Sequence, residues 1–316
     1  MTEEYSFVIN KVNSRSLCDI STRQSELQER RIIELYEAAE DIANRLVNAY
    51  DDMGVFEMLT FLSDGLVMPT SSIHGDALDD NLSILRNHLS SVGSLDKAVF
   101  TGLLLDRLKE KEIAVTEADF LSVTKFAESF TYVKNSLSDE AYDVFCETFK
   151  DPRLKYSKNL NEAAELVANE VVNYALLPLE EAGGERLHRT SQLIFKHDLK
   201  INSVTPVFGM DGSSDMKYAL VSRGFSVPRV DKDDDLYLEV RASCATVSLS
   251  ELLAAAEYFD CSVYRINTLC FNSDMNKEDY YSIVFKSNDK NFCGLLGYLT
   301  LFISSCTFVG MYKNLE

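Results

Sequence analysis

From residue 130 to the C-terminus, short runs rich in Val, Ile, Leu, Phe and Tyr alternate with amphipathic stretches, and this alternation limits the possible folds more than any other feature of the chain. Strand-like runs at 130–134, 154–157 and 174–179 are separated by helix-like runs at 139–149 and 161–172. That β-α-β-α-β order is the pattern of a largely parallel sheet with covering helices. A Gly183-Gly184 turn, a helix over 185–196 and strands at 200–208 and 216–222 follow. After the acidic run 231–235 (DKDDD), the order is strand 236–242, helix 249–259, strands 263–271 and 280–286, helix 292–303 and strand 307–312. This second series, β-α-β-β-α-β, is the ferredoxin-like plan.

Residues 1–127 read differently. Ile32, Leu35, Tyr36, Ala39, Ile42, Ala43, Leu46 and Tyr50 recur at three- and four-residue steps, which makes one apolar helical face within 25–50. Shorter helices are expected at 54–62 and 76–92, with a connection rich in small residues at 65–75. Ser94 caps a helix over 95–111, and Thr116 with Asp119 forms a capping box expected to open a helix over 117–129. The expected architecture is α+β and multi-domain: a helical domain at 1–127, one α/β lobe of the periplasmic-binding type at 128–230, and a ferredoxin-like domain at 235–316.

Charge and composition exclude several function classes. Fifty Asp+Glu against 31 Lys+Arg give a formal charge of -19, which disfavours nucleic acid and anionic membranes as partners. With 46% apolar residues the chain can bury a core, so disorder throughout is excluded. Seven cysteines, odd in number and without CxxC pairing, read as reduced thiols of a cytoplasmic protein, and the start MTEEYSFVIN has no secretion-signal pattern. The uncharged stretch 293–312 is long enough to cross a bilayer, but Ser304-Ser305 falls where a turn belongs, so it reads as a buried helix followed by a strand. No Gly-x-Ser-x-Gly, P-loop or dinucleotide fingerprint occurs. His74, His88, His188 and His197 show no ligand spacing, the acidic run lacks the order of a calcium loop, and Gly183-Gly184-Glu185 reads as a plain turn. No metal and no cofactor is expected.

Residues 129–316 resemble prephenate dehydratase followed by its ACT regulatory domain. The stretches that carry the resemblance are FTYVKNSLSDEAYDVFCETF (130–149), NEAAELVANEVVNYALLPLEEA (161–182), LHRTSQLIFKHDLKI (187–201), MKYALVSR (216–223), SLSELLAAAEYFDCSVYRI (248–266) and FVGMYKN (308–314). The resemblance implies a substrate cleft between two α/β lobes, with a catalytic Thr-Arg-Phe. Here that motif aligns with Met216, Lys217 and Tyr218: Met donates no hydrogen bond, and Lys lacks the bidentate fork of Arg. Further substrate positions are degenerate at Ser136, Ser138, Glu181 and Ala182, and a carboxylate at Glu181 repels a dicarboxylate. About 15 residues separate the strand 200–208 from MKYALVSR, so the second lobe is missing. Catalytic residues are therefore expected to be absent.

Two regulatory positions of the resembled ACT domain, a Gly-Ala-Leu turn and a Glu-Ser-Arg-Pro, read Val247-Ser248-Leu249 and Asn267-Thr268-Leu269-Cys270 here. Ser248, Leu249, Asn267 and Thr268 are the candidate ligand-binding residues. Bifunctional relatives carry a chorismate mutase in front, and Arg23, Arg30, Arg31 and Arg45 lie on one expected helix, but the customary mutase motif is not recognisable. The expectation is a non-catalytic, cytoplasmic homodimer, paired through the ACT-like region, that senses an amino acid or related metabolite. An active prephenate dehydratase and a structural protein that binds partners through its N-terminal helices are the alternatives.

Overall fold

The computed structural model describes residues 27, 30, 33, 36, 37 and 39–44, and then 93–315 apart from 122, 125–127, 148, 151, 182–183, 210–214, 227, 229–233, 273–276 and 304. The expected helices at 54–62 and 76–92, the connection 65–75, Cys18 and most of the acidic run lie outside the described residues.

Among the described residues nine strands form one mixed sheet. They are β1 (Ser129–Val133), β2 (Arg153–Ser157), β3 (Tyr174–Glu181), β4 (Lys200–Val207), β5 (Met216–Ser222), β6 (Leu236–Ser243), β7 (Cys261–Asn272), β8 (Lys277–Ser287) and β9 (Cys306–Tyr312). Their order across the sheet is β2-β1-β3-β5-β4-β9-β6-β8-β7. The α-helices are α1 (Ser94–Glu110), α2 (Ser136–Cys146), α3 (Leu160–Ala168), α4 (His188–Lys196), α5 (Leu249–Tyr258) and α6 (Cys293–Phe302).

Local chemistry fixes the helix ends. The Asn135 side chain accepts from the Ser138 N–H, and Ser138 Oγ accepts in return from the Asn135 N–H at 2.9 Å, so the capping box starts α2 three residues before the apolar pattern does. Asn159 caps α3 in the same way through the Glu162 N–H. α3 stops at Ala168, short of the expected 172, because Glu170 adopts a left-handed φ of 58°.

Two expectations are corrected. The Thr116/Asp119 capping box forms but opens only a 3-10 turn, Glu117–Asp119, rather than a helix to 129. Phe120 and Leu121 drop into the core, and Val123 then bridges Phe225 as extended chain. The α/β half is also mixed rather than largely parallel. β1 runs parallel to β2 and β3, but β5 is antiparallel to both β3 and β4. The short link from β4 to β5 permits only a hairpin, since a parallel crossover needs a dozen residues or more.

Three cores line the two faces of this sheet. α2 covers Phe130, Tyr132, Tyr174, Leu176, Tyr218 and Leu220. On the opposite face α3 and α4 cover Ala175, Leu177, Leu179, Ala219 and Val221, and this core continues into Tyr237, Val284, Val309 and Tyr312 of the C-terminal strands. α5 and α6 pack on the other side of those strands, over Leu238, Val240, Ala242, Ile283 and Phe285. α1 joins that third core through Ala98, Phe100, Leu104 and Leu108, as do Ala39, Ile42 and Ala43 of the helical residues 39–44. The apolar stripe read from the sequence thus has at least three of its members against the C-terminal helices.

The sheet is sharply curled. Six strand spacings of about 4.8 Å would hold β3 and β7 roughly 29 Å apart in a flat sheet, yet the Arg265 guanidinium of β7 touches the Glu180 carboxylate of β3. The bend sits at the β4–β9 seam, where the ladder reduces to Ile201 opposite Gly310 and a bridge between Val204 and Asn314. A Cβ on Gly310 would lie 2.7 Å from both the Cβ and the carbonyl oxygen of Ile201, so the seam closes only with glycine there. α4 and the segment before it fill the concave side. The Arg241 guanidinium stacks 4.1 Å from the Phe195 ring, which in turn meets Tyr280 at 5.4 Å. No helix among the described residues is long and apolar enough to cross a membrane.

Candidate functional site

Parallel β1 and β3 end, and antiparallel β5 begins, at one end of the sheet. This gathers the residues aligned with the resembled catalytic site. Glu181 lies opposite Met216, Glu180 opposite Lys217, and Pro178 opposite Tyr218. Ser136 and Ser138 start α2 directly after β1. Their states differ. Ser138 is buried and donates to the Val133 carbonyl at 2.8 Å, so its hydroxyl is engaged in the cap. Ser136 and Glu181 are exposed. Met216 packs against the α2 core, and Tyr218 is buried there, its phenol pushed up by burial against a lowering hydrogen bond from Asn135. Ala182 lies outside the described residues.

Lys217 opens onto a feature that the sequence reading missed. Glu180 is buried, and Arg186 Nη1 sits 3.0 Å from its Oε1, Arg265 touches the same oxygen, and Lys217 Nζ stands 3.5 Å from Oε2. Arg186 also pairs with the buried Glu239 of β6. Glu239 accepts further hydrogen bonds from Ser282 Oγ at 3.1 Å and from the Tyr312 hydroxyl at 3.3 Å. Three cations thus surround two carboxylates, drawn from β3, β5, β6, β7 and the 184–187 segment. Gly184, at φ 76°, brings this segment close to the Arg265 guanidinium. Burial alone would raise the Glu180 carboxyl, but Arg265, Arg186 and Lys217 outweigh it and hold the group below the usual carboxylate range. Burial likewise opposes the charge on Arg186, and Glu239 overrides it. The sequence signal was the odd charge inside an apolar strand: Glu239 within LYLEVRAS and Arg265 within SVYRINT.

The expected ligand residues lie in the C-terminal half. Ser248 is exposed before α5, with its hydroxyl 2.8 Å from that of Ser250, and Leu249 packs at the edge of the core. Asn267 and Thr268 lie on β7, opposite Ser282 and Tyr281. Among the described residues no hydrogen bond joins Ser248 to Asn267 or Thr268. β7 is an outer strand of the sheet and exposes Val263 at 38%, Tyr264 at 47% and Ile266 at 37%. A separate cavity of about 520 Å³ lies between α1 and the start of α6, with Asp106, Tyr258, Asp260, Asp289 and Cys293 among its walls.

Among the described residues no cluster of His, Cys, Asp and Glu could hold a metal ion. The described cysteines are free thiols. Burial pushes Cys261, Cys293 and Cys306 up to about 12, which leaves each protonated and inert at neutral pH. His188 is exposed beside Gln192, and burial lowers His197.

No protein-family profile matches the chain, and no curated protein resembles it in sequence. Solved structures with a related shape include a prephenate dehydratase from Streptococcus mutans, 14% identical, covering 60% of this chain and all of that one at a TM-score of 0.49. A second is a prephenate dehydratase from Arthrobacter aurescens in complex with L-Phe, 12% identical, covering 58% of this chain and 89% of that one, with a TM-score of 0.42. A third, GqqA, described as a novel type of quorum quenching acylase, is 12% identical over 59% of this chain and 95% of that one, with a TM-score of 0.44. These are likenesses of outline at low identity, to proteins of different described activity, and they carry no chemistry to this chain.

Proposed function

We propose that this chain is a non-catalytic, prephenate-dehydratase-like protein whose C-terminal β-α-β-β-α-β region serves as an ACT-like sensor of an amino acid or related metabolite. The observation that carries this reading is the state of Lys217. At the position aligned with the carboxylate-clamping Arg of the resembled motif, its ammonium faces Glu180, a carboxylate already gripped by Arg186 and Arg265. A substrate carboxylate would have to displace an internal one, and Met216 beside it offers no donor. Ser248, Leu249, Asn267 and Thr268 are the proposed ligand contacts. The exposed edge of β7 is the proposed homodimer seam, which would lay these residues near a second copy. The free thiols fit a reducing, cytoplasmic setting.

Thermal unfolding of the full chain against prephenate, chorismate, phenylalanine, tyrosine, tryptophan and a wider amino-acid set tests the reading. A specific ligand at about 100 times its dissociation constant adds roughly 2.7 kcal/mol. The expected result is a shift with one amino acid alone, reduced in Ser248→Ala and Asn267→Ala without loss of the fold. A shift with prephenate followed by turnover overturns the non-catalytic reading, and unchanged affinity in both variants overturns the placement of the ligand.

A further inference from the structure

The opposite edge of the sheet has a different chemistry. β2 is an outer strand paired only to β1, so the other side of its main chain carries no ladder among the described residues. Lys150 and Arg153 lie at its start, Lys155 at its middle, and Lys158 at its end beside Lys134, and all five are exposed. None of them forms an ion pair among the described residues. Several cations elsewhere in this acidic chain are held: Lys97 by Glu251, Lys200 by Asp198, Lys286 by Asp235 and Lys313 by Asp234. Two nearby carboxylates among the described residues hydrogen-bond the backbone at the ends of this strand. Glu128 accepts from the Lys150 N–H at 2.9 Å, and Glu162 from the Lys158 N–H at 2.7 Å. Tyr156 stands 49% exposed with the Lys134 ammonium 5.0 Å from its ring centre.

We propose that the β2 edge is a docking site for an acidic, extended segment of a partner protein, which adds to the sheet as a further strand beside β2. Main-chain hydrogen bonds would supply affinity, and the five cations would select a partner with carboxylates spaced along a strand. Lysines on an edge often serve only to prevent pairing with another chain of like charge. In a chain of net charge -19 the same residues repel few passers-by and attract acidic ones. A strand offers both features of the edge a match, whereas a nucleic acid could use the cations but not the main-chain row.

The test is fluorescence anisotropy of the full-length protein with a labelled alternating Glu-Thr peptide of about eight residues, long enough to span the strand. Three comparisons accompany it: a Lys-Thr peptide, the Glu-Thr peptide with alternate amides N-methylated, and a DNA duplex. Binding of the Glu-Thr peptide alone is expected, weakened at least about tenfold by N-methylation and by the Arg153→Glu/Lys155→Glu double variant. Lys286→Glu, at the far side of the molecule, should leave it unchanged. Absence of peptide binding overturns the proposal. Equal binding of the N-methylated peptide overturns strand addition, and tighter binding of DNA reassigns the patch to general polyanions. The N-methylation comparison uses the unaltered protein, so it stands even if the double variant fails to fold.

Discussion

The two edges of the sheet show opposite solutions to one problem, the unpaired main chain of an outer strand. β2 is five residues long and charged, whereas β7 is twelve residues long and exposes Val263, Tyr264 and Ile266. The charge that could protect β7 is Arg265, and it is turned inward to Glu180. What separates the edges is therefore the buried ion cluster: it takes the cation away from one edge, while the cations of the other stay in water. An apolar edge suits a permanent partner and a charged edge a transient one.

The largest way to break this contrast is to remove Glu239 or Glu180. Glu239→Ala leaves Arg186 buried beside a weakened set of acceptors, and Glu180→Ala leaves Arg186, Lys217 and Arg265 without their shared carboxylate. Each loss should cost about 3 to 5 kcal/mol in urea unfolding. Glu180→Ala should also free Arg265 to turn out on β7, so that any self-association of the chain becomes salt-dependent. A cost below about 1 kcal/mol would mean that the curl of the sheet is held by packing alone. The same cluster sets a pH dependence. The Glu180 pKa is lowered in the folded state from its ordinary 4.5, so its contribution is fully present above about 4.5 and lost as pH falls through the lower folded value. Acid unfolding should therefore steepen below that point in the unaltered protein, and Glu180→Gln should flatten this part of the curve.

A smaller effect is expected at the seam. Gly310→Ala puts a methyl group 2.7 Å from Ile201, and main chain lies on that side, so relief requires moving β4 away from β9. Overpacking of this kind costs roughly 1 to 3 kcal/mol. Because the seam sets the approach of β3 to β7, the variant should also weaken the contact between Arg265 and Glu180, and the combined effect with Glu180→Ala should fall short of the sum. Strict additivity would show that the bend and the ion cluster are independent. On the β7 edge, Ile266→Lys should shift the sedimentation of the proposed homodimer to that of a monomer at little cost in folding, since the side chain is exposed.

The order of the strands and helices was legible from residue 129 onward because each is a local pattern of apolar spacing. β5 begins and ends where its pattern does, and the β-α-β-β-α-β series has the expected order. The curl was not legible, because it depends on contacts between residues as far apart as Glu180 and Arg265, and no local period encodes such a pairing. The candidate site was half legible. Met216, Lys217 and Tyr218 were singled out by resemblance alone, but the carboxylate facing Lys217 was overlooked because Glu180 sits in a run of two glutamates, and sequence does not tell which one turns inward. Burial separates them, with Glu180 inside and Glu181 in water. The Thr116/Asp119 box misled for the opposite reason: its local geometry is correct, but Phe120 and Leu121 gain more from the core than from a longer helix.

The smallest predicted effect separates a plain cap from one that also shapes the sheet end. Asn159→Ala removes the acceptor for the Glu162 N–H and should cost about 1 kcal/mol, as an ordinary helix cap does. Asn135→Ala removes the same kind of acceptor from the Ser138 N–H, but Asn135 is also a polar neighbour of Tyr218, whose ring packs in the α2 core and whose phenol it lowers against the effect of burial. Its loss takes a polar neighbour away from that phenol as well as the cap, so the cost should exceed that of Asn159→Ala by a further 1 kcal/mol or so. The double variant Asn135→Ala/Tyr218→Phe removes both partners and should recover most of that difference in urea unfolding. Equal costs for the two single caps would show that Tyr218 is satisfied by water, and that the end of the sheet beside β2 is more open than its packing suggests.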